Sequence, residues 1–141
     1  MIIKQLSIFL ENKKGRFTEV TSLLGEAGIN MTAFTVSENS DFGILRLIVS
    51  DPEAARNILK EHRYAVSITE VVCIQMPDNP GALARVMDIV ANAGISIEYM
   101  YAFSSGKIAV GIIRPDNLQK TVDVLSENKV ELLASSELFS L

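Results

Sequence analysis

The apolar positions of this chain change period several times, and each change marks an element. Ile3, Leu6, Ile8, Phe9 and Leu10 form a β-rich run that stops at the polar cluster Glu11-Asn12-Lys13-Lys14-Gly15, so a strand gives way to a loop. From Phe17 the apolar residues fall at 17, 20, 23, 24 and 27, a spacing of three and four that lines one face of a helix. Gly28 ends that helix, as a residue free to take a left-handed conformation. Met31 to Val36 alternates as a second strand, Ser37 to Asp41 turns the chain, and Gly43 to Val49 returns as a third, which predicts a hairpin. Asp51 and Pro52 read as the N-cap and first residue of a helix carrying Ala55, Ile58 and Leu59 inward, and a strand from Ala65 closes the unit.

The same pattern then returns, shifted by 66 residues and without gaps. Ser7 to Gly15, Phe17, Val20, Leu23-Leu24 and Ala27-Gly28-Ile29-Asn30 are echoed by Cys73 to Gly81, Leu83, Val86, Ile89-Val90 and Ala93-Gly94-Ile95-Ser96. An echo of this length means two copies of one small unit. The second copy predicts a strand near Val71 to Met76 and a helix near Ala82 to Ala93. Strands Ile97 to Phe103 and Lys107 to Ile113 follow, joined by Ser104-Ser105-Gly106, and then a helix in which Pro115 repeats the role of Pro52. The order β-α-β-β-α-β predicts an α+β chain of two tandem ferredoxin-like βαββαβ sandwiches, each an antiparallel sheet with two helices on one face. The expected domains are residues 1–70 and 71–141. No Gly-, Ser- or Pro-rich linker separates them, and the run Val66 to Met76 must end one copy and begin the next, which leaves the pair little slack.

Composition narrows the function. Units of about 70 residues bury too little surface to be comfortable alone, and 48% hydrophobic content supplies apolar area for further contacts, so a homo-oligomer, in the simplest case a dimer, is expected. The net charge of −4 argues against nucleic acid as a partner. No uncharged apolar stretch approaches the roughly 18 residues of a membrane span, and the N-terminus lacks a signal-peptide pattern, so no membrane association and a cytoplasmic location are expected. One cysteine, Cys73, and one histidine, His62, provide no soft-ligand cluster, so neither a metal nor another cofactor is expected. Cys73, in the run Val71-Val72-Cys73-Ile74, reads as a small buried hydrophobe, and His62 as a solvated side chain near a helix end. No acid, base, nucleophile and oxyanion donor converge, so no catalytic residue is assigned and the chain is read as not an enzyme.

The signature Asp78-Asn79-Pro80-Gly81-Ala82-Leu83, followed by a helix ending in Ala93-Gly94-Ile95-Ser96-Ile97, resembles the ACT domain, a small-molecule-binding regulatory module. The first copy has Gly15, Phe17 and Ala27-Gly28-Ile29-Asn30, but Lys14 where that family often has proline. The resemblance covers the whole chain as two modules. It implies a free amino acid bound at interfaces between paired modules, to regulate biosynthetic enzymes of amino acid metabolism. It also implies contacts from the loop after the first strand and from the residue after the helix-ending glycine. These fall on Asn12, Lys13, Gly15 and Asn30 in the first copy, and on Asp78, Asn79, Gly81 and Ser96 in the second.

Those residue types suit a zwitterion, which needs donors for its carboxylate and acceptors for its ammonium. Gly15 and Gly81 sit where a helix begins, so free backbone N–H groups and the positive end of the helix dipole are available to a carboxylate. Asn12 and Asn30 each carry a donor and an acceptor without net charge, whereas ionised Asp78 only accepts and Ser96 is short, which favours the first copy's loop. Each position also has a purely structural reading. Asn12, Asn30 and Asp78 serve equally as turn or cap residues, and the glycines as backbone hinges. Tyr99, Tyr101 and Phe103, at period two, place three rings on one face of a strand, away from Met100 and Ala102, where they line a subunit interface, a ligand side-chain pocket or the core. The rival function is a protein-binding regulatory subunit of a biosynthetic enzyme, with no ligand of its own.

Overall fold

A computed structural model describes residues 2–11, 13–38 and 41–141, with the backbone alone described at position 38. Two compact units result: Lys4–Thr69, and Glu70–Leu141 together with the first residues of the chain. The first contains β1 (Ile2–Glu11), α1 (Arg16–Glu26), β2 (Met31–Glu38), β3 (Phe42–Val49), α2 (Pro52–Glu61) and the opening of β4 (Ala65–Pro77). Its strands lie in the order β2-β3-β1-β4, with β3 antiparallel to both β1 and β2. The second contains the rest of β4, α3 (Ala82–Asn92), β5 (Ile97–Ser105), β6 (Ile108–Pro115), α4 (Leu118–Glu127), a two-residue β7 (Glu131–Leu132) and a short α5 (Ser135–Phe139). Here the order is β5-β6-β4 with β7 on the far side of β4, so the fold class read from the sequence is present in both units.

Element starts repeat at the same shift of 66: α1 and α3, β3 and β6, α2 and α4, β4 and β7. Leu6, Ile8, Leu10, Val20, Leu24, Leu45, Leu47, Ala55 and Leu59 build the first core. Val72, Ile74, Met76, Val86, Val90, Ile113 and Leu125 build the second. The helix ends follow from local chemistry. Gly28 and Gly94 take φ of 71° and 73°, and the following Ile29 and Ile95 donate back to Leu24 and Val90 at 2.9 and 3.1 Å. These are αL closures with a buried isoleucine after the glycine. Asp51 caps α2 as expected, its carboxylate accepting from the Ala54 N–H at 3.1 Å.

Three details depart from expectation. Pro115 does not repeat the role of Pro52: it ends β6, opposite Ile97, and the α4 N-cap is Asn117, which accepts from the Lys120 N–H at 3.0 Å. The positional counterpart of Pro52 is Leu118, and a side-chain acceptor suffices to start the helix without proline. Ser104 and Ser105 belong to β5, so the hairpin closes through Gly106, at φ 62°, and Lys107. The segment β7 to α5 had no periodic signal. Its one local cue is the Glu137 carboxylate accepting from the Ala134 N–H at 3.0 Å, half of a capping box.

Candidate functional site

In both units the first helix opens on a left-handed glycine. Gly15 and Gly81 sit at φ 87° and 88°; the first helical N–H groups, of Arg16 and Ala82, turn back to the Lys13 and Asn79 carbonyls at 3.4 and 3.3 Å, and neither helix has a side-chain cap for the N–H groups that follow. Lys13 pairs with Glu11 at 2.8 Å, and this hydrogen bond, with the charges of Lys13 and Arg16, lowers the Glu11 pKa. Asn12 lies outside the described residues. In the second unit the loop is tied to the hairpin turn, where the Asp78 N–H donates to the Lys107 carbonyl at 3.0 Å.

The post-helix residues are clasped alike in both units. The Asn30 N–H donates to Ser50 Oγ at 3.0 Å and its carbonyl accepts from the Ser50 N–H at 2.9 Å. The Ser96 N–H donates to Asp116 Oδ1 at 3.2 Å and its carbonyl accepts from the Asp116 N–H at 2.9 Å. Loop and post-helix residues therefore lie at opposite ends of an 11-residue helix, about 16 Å long at 1.5 Å per residue. A single small molecule does not span Gly15 and Asn30 of the same unit, nor Gly81 and Ser96.

Other expected residues do come together. Asp78, Asn79 and Phe103 share a depression of about 260 Å³ with Leu83 and Ser104. Asn79 and Gly81 line a larger cavity of about 630 Å³, between the start of α3, the hairpin turn and the turn after α4. Tyr99, Tyr101 and Phe103 are half-buried on the sheet face opposite Met100, which packs against the second core. Tyr101 and Phe103 face buried Ile112 and Val110 across the strands, whereas Tyr99 faces the half-buried Arg114, so apolar residues extend over most of this second face. On that second face Cys73 is buried. Burial, and then the nearby Glu137 charge, push its thiol up to about 12. His62 is exposed at the C-cap of α2, its Nδ1 2.9 Å from the Ile58 carbonyl oxygen.

The residues that sequence reasoning missed are Arg85, Lys107 and Lys129, which bring positive charge to the large cavity. Lys129 follows α4 at φ 60°, as Arg63 follows α2 at 65° in the first unit, where α1 and α3 use Gly28 and Gly94. The first unit's loop, which its asparagines favour, borders a smaller matching cavity of about 410 Å³. There Arg16 stands at the position of Ala82 and Tyr64 at that of Val130, the Arg16 guanidinium lying 6.0 Å from the Tyr64 ring centroid and 3.7 Å from Glu11.

Among the described residues no helix is long and apolar enough to cross a membrane. No curated protein matches the chain significantly. Among solved structures it resembles a crystal structure of a protein from Bacteroides thetaiotaomicron, at 53% identity and a TM-score of 0.96, covering 100% of this chain and 98% of that one. It also resembles the ligand-free regulatory subunit of aspartate kinase from Thermus thermophilus, with 14% identity, a TM-score of 0.65 and coverage of 90% and 96%. A structure of aspartokinase alpha and beta subunits gives 19% identity, a TM-score of 0.56 and coverage of 99% and 97%. At such identities the last two speak for the fold alone. The ACT domain pair family matches residues 1–141, and the chain belongs to that family of regulatory modules.

Proposed function

We propose that this chain is a non-catalytic sensor that binds a free amino acid through its ACT modules, residues 1–70 and 71–141, and regulates an enzyme of amino acid metabolism in the cytoplasm. The observation that carries this reading is the repeated uncapped helix start at Gly15 and Gly81, a donor set for a carboxylate placed beside polar loop residues in both units. Because Asn30 and Ser96 lie a helix length away from those loops, the reading assigns them to a different ligand contact: the loop of one module and the post-helix residue of a module in a second copy of the chain. A homodimer is therefore part of the proposal. Binding passes a signal only when it differs between two arrangements of the modules, since equal affinity for both shifts nothing.

Thermal unfolding measured across the twenty amino acids tests the reading. A true ligand at 100 times its dissociation constant adds about 2.7 kcal/mol of stability, and Asn30→Ala abolishes that gain. No response to any amino acid removes the reading.

A second reading is favoured by one observation. Phe17 and Phe34 meet with tilted rings, 6.5 Å between centroids, yet stay exposed, Phe34 by 56%, and Val36 on the same strand is also exposed. An apolar patch of that kind suits protein contact, as in a regulatory subunit without its own ligand. A stoichiometric enzyme partner recovered by pull-down, together with a flat thermal response, favours it over the sensor.

A further inference from the structure

We infer that the large cavity of the second unit is a binding site for a small dicarboxylate. Its floor is apolar, formed by Met76, Val86 and Val130, and its rim carries Arg85, Lys107 and Lys129. The three cations come from three different elements: α3, the β5–β6 turn and the turn after α4. Among the described residues none of them forms an ion pair, although the chain as a whole is acidic at −4. Arg85 is aimed by a hydrogen bond from its Nη2 to the Asn128 carbonyl at 2.9 Å. The one carboxylate in the lining, Glu131, is held by Gln75 Nε2 at 2.9 Å. Positive groups spread around an apolar floor fit two carboxylates joined by a short carbon chain better than a compact inorganic anion.

The first unit supplies an internal control, because every position has a counterpart 66 residues earlier. Arg85 and Lys107 replace Glu19 and Asp41, so the sign of the charge reverses at both. Pro77, Ala82 and Val130 replace Glu11, Arg16 and Tyr64, the groups that pair with one another and narrow the first cavity. The second cavity is thus wider, and its three cations outnumber its one carboxylate, Glu131. Lys129 holds φ 60°, as its counterpart Arg63 holds 65° in the first unit, so this left-handed closure belongs to the repeat and only the charge placed on it concerns the cavity.

This inference deepens the sensor reading only in that the two share Asn79 and Gly81, and its test separates them. Titration calorimetry on the full chain uses L-aspartate, L-glutamate, succinate and 2-oxoglutarate as probes, with L-alanine and inorganic phosphate for comparison. Saturable binding of a dicarboxylate, weakening as salt rises, is expected. Response to the amino compounds alone assigns their ammonium to Glu131, whereas response to all four assigns recognition to the carboxylates. Arg85→Ala and Lys107→Ala each weaken binding about tenfold, and Lys60→Ala, which removes a cation elsewhere, does not. Lys129→Gly weakens binding while raising the melting temperature, a combination that a purely structural lysine does not give. Absence of dicarboxylate binding, equal binding of phosphate, or affinity unchanged in the Arg85 and Lys129 variants overturns the inference. The sensor reading fails separately, when no amino acid, acidic or neutral, stabilises the chain while succinate or 2-oxoglutarate still binds.

Discussion

At Gly81 a side chain meets no atom within 4 Å, so any cost of adding one comes from the backbone, which sits at φ 88°. Gly81→Ala is therefore expected to lower stability by about 1–2 kcal/mol, read as an earlier urea midpoint with an unchanged m-value. Cys73 makes the opposite case, a residue defined by its surroundings. Its thiol titrates near 12 in the folded chain against an ordinary 9.0, so the folded state keeps its proton where the unfolded state has lost it. Its stabilising contribution is complete below pH 9.0 and declines as pH rises toward about 12. Urea unfolding followed across that window should show falling stability with a shallower slope in Cys73→Ala, the remainder coming from groups such as Tyr64, whose phenol burial also raises. The sequence placed Cys73 correctly among buried residues from its apolar neighbours. The shift itself comes first from burial and then from Glu137, 64 positions away, and no local pattern carries the second.

Among the elements, the two helix types of each unit start by different means, and this sets their sensitivity. The helices α2 and α4 rely on side-chain acceptors, Asp51 and Asn117, whereas α1 and α3 rely on glycine geometry. Asp51→Ala and Asn117→Ala should each cost about 1 kcal/mol, measurable as a shift in the denaturation midpoint. The N-cap at Asp51 was readable because proline follows it. Its counterpart at Asn117 has no proline after it, and Pro115, three residues before the helix start at Leu118, is a strand end. The short β7 and α5 were not legible, since two and five residues are too few to establish a period.

For the whole molecule, the repeat has functional consequences because its two halves have diverged in charge at matching positions. The first cavity sets Arg16 and Arg63 beside Glu11, with which Arg16 pairs, and the second sets Arg85, Lys107 and Lys129 around an apolar floor with Glu131 as the one carboxylate of its lining. A ligand that distinguishes the halves is thus expected to occupy one cavity per chain, so the calorimetric stoichiometry with a dicarboxylate should be one. The amino acid response, if it uses both loop glycines, need not share that value.

The periodicity of apolar residues, the ungapped echo and the glycines at helix ends determined the element order and the tandem fold without reference to coordinates. Each is a local relation between neighbours along the chain, and local sterics and burial suffice to enforce it. Which cavity stays open, and with what charge, was decided by tertiary structure. Arg85, Lys107 and Lys129 form no motif in the sequence, and their common surroundings arise only when α3, a hairpin turn and a helix end are folded against one sheet. The separation of Asn30 from its own loop has the same origin: 15 residues after Gly15, it is carried a full helix length away by the rise of α1.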